Sequence, residues 1–277
     1  MTQTTRLTTQ ARTYLMCPPE YFAVEYAINP WMNPDNPVDV ALAMRQWQRL
    51  RATFASLGHT VHTIPPVPGL PDMVFAANGA TVIDGKVLGA RFRYPERQPE
   101  AAAYLSWLRE HGYGQPGAGA ISESAVTNEG EGDIVFVGPV ILAGHGFRTD
   151  ETVAAELTDL FGLPVLSLRL VDPRFYHLDT ALAVLADGVA AYYPPAFDDA
   201  SRATLAGLFA ELIEAKDEDA EVLGLNAVSD GRHVVLPEQA GGLARQLAGA
   251  GFVPIGIDMS ELLKAGGGPK CCTLELR

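Results

Sequence analysis

Apolar runs meet across tight turns at four places along the chain: Asp84-Gly85, Val137-Gly138, Asp187-Gly188 and Asp230-Gly231. Asp-Gly between two β-rich runs favours a two-residue hairpin, because that turn needs positive φ. The clearest flanks are Ala80 to Ile83 with Val87 to Phe92, Ile134 to Phe136 with Val140 to Leu142, and Leu182 to Leu185 with Val189 to Tyr193. A helical spacing of apolar residues follows each pair, over Pro99 to Glu110, Asp150 to Phe161, Asp198 to Ala215 and Pro237 to Ala248. Val38 to Leu57 shows the same spacing ahead of the first hairpin. Short β-like runs then follow most helices, at Thr60 to Ile64, Pro164 to Leu168 and Phe252 to Ile257.

The turn glycines are 53, 50 and 43 residues apart, the spacing of a repeat architecture. A fifth unit can be assembled from the chain ends by pairing Arg12 to Met16 with Cys272 to Leu276. Such pairing closes a ring and leaves no exposed terminal repeat. The expectation is an α/β ring of strand–strand–helix–strand units; an ordinary α/β sheet with added hairpins is the plainer alternative. Gly112 to Ser124, rich in Gly, Ala and Ser, reads as a surface loop over a site, and Gly266 to Pro269 as a glycine bend before Cys271 and Cys272.

Composition narrows the function classes. The chain has 277 residues, 48% hydrophobic and 19% charged, enough for a substantial core without metal or disulfides. A net charge of −13 argues against nucleic acid or an anionic membrane as the main partner. Three cysteines, two of them adjacent, make no disulfide framework. The polar start lacks the apolar core of a signal peptide, and no apolar stretch reaches the roughly 18 residues of a membrane span. A soluble, cytoplasmic protein is expected. HExxH, CxxC and Walker patterns are absent, so neither a metal nor an organic cofactor is expected.

Chemistry-bearing residues recur at matching places in the units. Asp72, Glu129 and His177 each precede the first strand of a unit, while Arg97 and Arg148 follow the second. Glycines beside Cys271 cost entropy without packing value, but they can present a thiol close to backbone donors. A histidine from another segment can then shuttle its proton. His177 and Asp179, two apart, share one face of an extended chain. Arginine forks suit a carboxylate. Taken singly each residue has a plainer role: a solvated acidic turn, a turn cap at Asp72, a positive-φ Asn78, a buried hydrophobic cysteine. In a closed ring they converge on the axis, and the set then suits a small zwitterion with a cationic group.

These residues also carry a resemblance. PDMVFAANGA (71–80), EGEGD (129–133), GHGFRT (144–149), HLDT (177–180) and GGGPKCCT (266–273) follow one another in family order. The chain resembles the guanidine-modifying superfamily, which includes arginine deiminases, dimethylarginine dimethylaminohydrolases and amidinotransferases. INPWM (28–32) and the AlaAsnGly of 77–79 are especially similar to the arginine dihydrolase branch, which takes arginine to ornithine.

The resemblance implies a pentein fold, a five-fold pseudo-symmetric α/β propeller of ββαβ units around a central active-site channel, with residues 1–277 as one catalytic domain. It further implies Cys271 as nucleophile, His177 as general acid/base and Glu129 as the acidic partner that orients His177. Asp72 and Asp179 fall in or beside the family's site, Arg97 and Arg148 match arginines that hold the substrate α-carboxylate, and Asn29 and Asn78 match substrate-contacting asparagines. The implied reaction is hydrolysis at the guanidino carbon of arginine or a methylated arginine through a covalent thiouronium, and the implied partner is that cationic amino acid. Amidino transfer to an amine and non-catalytic binding are the alternatives, and a homo-oligomer is compatible with the acidic ring. Two departures stand out. Ala77-Asn78 replaces the Glu-Asp of bacterial dimethylarginine hydrolases, and an extra residue in the acidic motif leaves Glu129 and Glu131 as competing matches.

Overall fold

The computed structural model describes residues 7–277 apart from 116 and 118. Its first blade contains β1 (Thr13–Met16), α1 (Val40–Ser56) and β2 (Thr60–Thr63). The second runs through β3 (Ala80–Ile83), β4 (Lys86–Gly89), α2 (Gln98–Glu110) and β5 (Ile121–Glu123). The third holds β6 (Ile134–Val137), β7 (Val140–His145), α3 (Val153–Phe161) and β8 (Val165–Arg169). The fourth holds β9 (Leu182–Ala186), β10 (Val189–Tyr192), α4 (Asp199–Leu208) and β11 (Glu211–Glu214). After a short α5 (Asp217–Ala220), the fifth holds β12 (Val228–Ser229), β13 (His233–Pro237), α6 (Gly241–Gly249) and β14 (Val253–Ile257).

Among the described residues there are five sheets, each of three strands. Every sheet joins an antiparallel pair to a parallel pair across a helix. The remaining strand, β15 (Leu274–Glu275), returns to pair antiparallel with β1, Tyr14 opposite Glu275 and Leu15 opposite Leu274. The ring of ββαβ units therefore closes through the two ends of the chain.

Local chemistry explains most boundaries. Asp84 and Gly85 both have positive φ, 50° and 73°, as a tight hairpin with right-handed twist requires. The Asp39 side chain accepts from the N–H of Leu42 at 2.9 Å and caps α1, and Asp198 caps α4 through Ser201 at 2.8 Å. Buried Leu15, Val82, Val87, Tyr104, Leu108 and Leu274 pack as one cluster joining the first blade to the second, so the core is shared between blades.

Three expected elements are corrected. The helix read over Asp198 to Ala215 ends at Leu208, and Glu211–Glu214 is a strand pairing parallel with β10. Backbone groups of β10 need that partner, and sheet pairing overrides the helical spacing. Pro237 closes β13 instead of opening α6, because it stands opposite Ile257 in a parallel ladder. Within the glycine-rich 112–124 stretch, Ile121–Glu123 is an edge strand beside β4; residues 116 and 118 lie outside the described residues.

Because Leu274 is fully buried in the closing strand, Leu274→Ala is expected to cost about 2–5 kcal/mol of stability. Urea unfolding followed by far-UV circular dichroism measures this; a loss below about 1 kcal/mol would show that closure does not rest on this contact.

Candidate active site

Short 3-10 turns stand immediately ahead of the inner strands β3, β6 and β9, at Ala76–Gly79, Gly130–Gly132 and Leu178–Thr180. Glu129 and His177 occupy the position just before two of those turns, so both side chains leave the chain where blades converge. Gly132 is required there: a Cβ at this position would collide with Asn78 Nδ2 and lie 3.0 Å from His177 Nδ1.

Glu129 is the hub of the ionised groups. Its Oε2 accepts from Arg148 Nη1 at 2.7 Å and shares a 2.8 Å hydrogen bond with His177 Nε2, while Oε1 accepts from the Arg93 N–H at 3.2 Å. Burial opposes its ionisation, yet Arg148 and then His177 hold the carboxyl well below the usual range. Arg148 lies between the rings of Tyr94 and Tyr176, 4.7 Å from each centroid, and donates to the Ile28 carbonyl at 3.0 Å. Asp133 accepts from Thr149 Oγ1 and the Leu178 N–H; burial, opposed by His177, lifts it to about 6. Glu131 points elsewhere. It binds Lys270 at 2.7 Å and Arg277 at 2.9 Å, so of the two acids only Glu129 meets His177.

Cys271 Sγ donates to Asp179 Oδ2 at 3.2 Å. Burial first and the Asp179 carboxylate second push the thiol well above its ordinary value, so the resting sulfur is protonated. Burial likewise lifts Asp179 to about 7 against the pull of Lys270. Asp72 Oδ2 accepts from the Tyr26 hydroxyl at 2.8 Å, with Arg97 Nε 4.0 Å away; burial raises this acid too. Arg97 does not present an open fork. Nε and Nη2 bind Glu100 at 2.9 and 2.8 Å, and Nη1 donates to Asn78 Oδ1 at 2.9 Å. Asn78 Nδ2 in turn reaches the Glu129 carbonyl at 3.2 Å. Asn29 lies on the segment between β1 and α1, where its Nδ2 donates to the Ala265 carbonyl at 3.0 Å and its Oδ1 accepts from Trp31.

That segment covers the site, tied down by Tyr26, Asn29 and the Ile28 carbonyl. Glu129, His177 and Cys271 are 0%, 1% and 2% exposed. Among the described residues, Asp72 Oδ1, His177 Nδ1 and Asp179 Oδ1 are buried without a hydrogen-bond partner. No group of three or more His, Cys, Asp or Glu among the described residues is placed to hold a metal ion.

A family model described as N,N dimethylarginine dimethylhydrolase, eukaryotic, matches residues 18–277. The chain belongs to that family. Within it, the chain is 54% identical to an N(G),N(G)-dimethylarginine dimethylaminohydrolase of Mycobacterium tuberculosis, over 98% of this chain and 88% of the other. It is 35% identical to the bifunctional arginine dihydrolase/ornithine cyclodeaminase ArgZ of Synechocystis, covering 95% of this chain but 37% of that protein. The crystal structure of the N-terminal domain of ArgZ with its cysteine replaced and substrate bound aligns with a TM-score of 0.89 at 34% identity, over 95% of this chain and 97% of that one. The same domain with an asparagine replaced, covalently bonded to a reaction intermediate, aligns at 0.90 and 34% identity over 96% and 98%. The ring of repeats read from the turn spacing, and the pentein propeller that the resemblance implies, are thus the fold of these relatives.

Sequence reasoning overlooked one polar side chain in this family member, Asn226, whose Nδ2 lies 3.0 Å from Cys271 Sγ. A signal was available, because it stands directly before β12, the place that site residues occupy in other blades.

Asp179 generates a pH prediction. Its folded value of about 7 stands above the ordinary 3.8, so between these values the folded state holds a proton that the unfolded state has released. Stability from this group therefore falls as pH rises through that window. Asp179→Asn is expected to gain in Tm relative to the parent on going from about pH 4 to about pH 7, measured by calorimetry; a constant difference would count against the shift.

Proposed function

We propose that this protein is a cysteine-dependent hydrolase acting on the guanidino carbon of arginine or an Nω-methylated arginine. The observation that carries the reading is Asp179 Oδ1, buried without a donor on the carboxyl group whose other oxygen accepts from the Cys271 thiol, with Asp72 Oδ1 a second buried acceptor left without a donor. Buried acceptors require donors, and a planar cation with several N–H groups supplies both donors and charge.

In this reading Cys271 Sγ attacks the guanidinium carbon while His177, held by Glu129, passes a proton to the departing amine. The net change transfers the thiol proton to the leaving amine and leaves a thiouronium on sulfur. Water then attacks that carbon, His177 takes its proton, and the carbon–sulfur bond breaks to release citrulline and regenerate Cys271. For ornithine, Cys271 attacks the ureido carbon in a second cycle, expels a second ammonia, and water cleaves the resulting thiocarbamate to ornithine and carbon dioxide. Arg148 keeps Glu129 ionised, so Glu129 accepts from His177 throughout. Arg97, engaged by Glu100, serves to hold Asn78 and leaves one Nη1 hydrogen for the substrate carboxylate.

Asn78 supports arginine as the substrate. The cysteine and asparagine replaced in the two ArgZ structures are the same number of residues apart as Cys271 and Asn78 are here. The 54% identity to the mycobacterial dimethylarginine dimethylaminohydrolase supports the methylated substrate instead. The whole chain acts as one catalytic domain in the cytoplasm, with no nucleic-acid or membrane partner; among the described residues no helix is long and apolar enough to cross a membrane.

Mass spectrometry of products from arginine, asymmetric dimethylarginine and citrulline, each given separately, tests the proposal. Ornithine from arginine, lost in Cys271→Ser and reduced about 100-fold in Asn78→Asp, is the expected result. Citrulline and dimethylamine from the methylated substrate alone would transfer the assignment to that substrate. Guanidinoacetate from arginine plus glycine, without hydrolysis, would replace hydrolase by amidinotransferase.

A further inference from the structure

Four of the five blades place a candidate site residue ahead of their inner antiparallel strand: Asn78 before β3, Glu129 before β6, Asp179 before β9 and Cys271 before β15. The remaining strand, β12, is preceded by Asn226, which is fully buried.

Every hydrogen-bonding valence of this amide is used. Oδ1 accepts from the N–H groups of Gly268 and Cys271, both at 3.0 Å. Nδ2 donates to the Asp179 carbonyl at 3.2 Å and to Cys271 Sγ at 3.0 Å. The two backbone donors determine the orientation of the amide: flipped, its NH2 would face two N–H groups and its oxygen would face a carbonyl and the sulfur. The N–H must therefore point at sulfur. Gly268 allows the approach, since a Cβ there would stand 2.9 Å from Asn226 Oδ1.

We infer that Asn226 is a further catalytic residue: its oxygen anchors the Gly268–Cys271 bend, and its nitrogen gives Sγ a fixed hydrogen bond that persists when the sulfur becomes the attacking anion. The inference rests on Cys271 being the nucleophile. Of the other ionisable groups around the sulfur, Asp179 accepts from the thiol and, as a carboxylate, opposes a negative sulfur, while Cys272 and the Tyr176 hydroxyl are neutral. Lys270 is engaged by Glu131 and is not bonded to Sγ. Asn226 is thus the donor that cannot change role with protonation.

The test compares parent, Asn226→Asp and Asn226→Ala. The aspartate keeps an oxygen for the two backbone N–H groups and removes the donor to sulfur; the alanine removes the donor without adding charge. Alkylation of Cys271 by iodoacetamide is followed against pH, with the modified peptide identified by mass spectrometry. Both variants are expected to raise the alkylation midpoint by about one pH unit or more and to lower kcat about 10- to 100-fold, with KM changed less than about threefold. An unmoved midpoint in a variant with parental circular dichroism would overturn the inference, as would a rise in KM at unchanged kcat. Should Asn226→Ala not fold, Asn226→Leu, of similar size and without donor or charge, takes its place. Turnover retained by Cys271→Ser would bring down the underlying nucleophile assignment instead, and that result is independent of the alkylation profile.

Discussion

The two ends of the chain meet as neighbouring strands, and the place of the Cys271 sulfur follows from that pairing. β15 is only two residues long, yet it pairs with β1, and Leu274 packs in the core shared with the second blade. The bend that carries Cys271 lies directly upstream, and the Ala77 N–H donates to the Cys271 carbonyl at 3.0 Å. Closure thus ties the thiol to the segment that holds Asn78. Without the ring, sulfur, histidine and acids would belong to separate hairpins with no common pocket.

Convergence of five polar strand ends creates an electrostatic problem that the site solves pairwise. Each buried charge must meet an opposite charge or become neutral. Glu129 takes the first course with Arg148, and Arg97 does so with Glu100. Asp179 and Cys271 take the second: both are pushed toward their protonated forms by burial, and they share a hydrogen bond. The resting site is therefore poised to be changed by a cation. A cation beside Asp179 would supply the donor that Asp179 Oδ1 lacks and favour negative charge on the neighbouring sulfur.

The cover formed between β1 and α1 is held by the residues it shields. Tyr26 binds Asp72, the Ile28 carbonyl binds Arg148, and Asn29 binds the Ala265 carbonyl. A separate cavity of about 790 Å³ opens among the hairpin turns at Gly138, Gly188 and Gly231. None of the candidate site residues lines it, so its size does not make it the reaction site.

The repeat itself was legible along the chain, because turn glycines, all four of which adopt positive φ, and the apolar runs around them are local properties that survive in any tertiary context. The β1–β15 closure was legible for a related reason: two β-like runs at the ends lacked partners. The site residues stood out by their common position before an inner strand, and that rule reaches Asn226 as well once all five strands are compared. Tertiary structure alone decided what depends on distance between blades. Glu129 rather than Glu131 faces His177 because the intervening turn directs one acid to the axis and the other to Lys270 and Arg277. Arg97 is engaged by Glu100, and Glu211–Glu214 is a strand, because a buried partner or an unpaired ladder outweighs the local preference. Spacing along a chain carries periodicity; the pairing of buried charges and backbone groups is decided only where the folded chain brings them together.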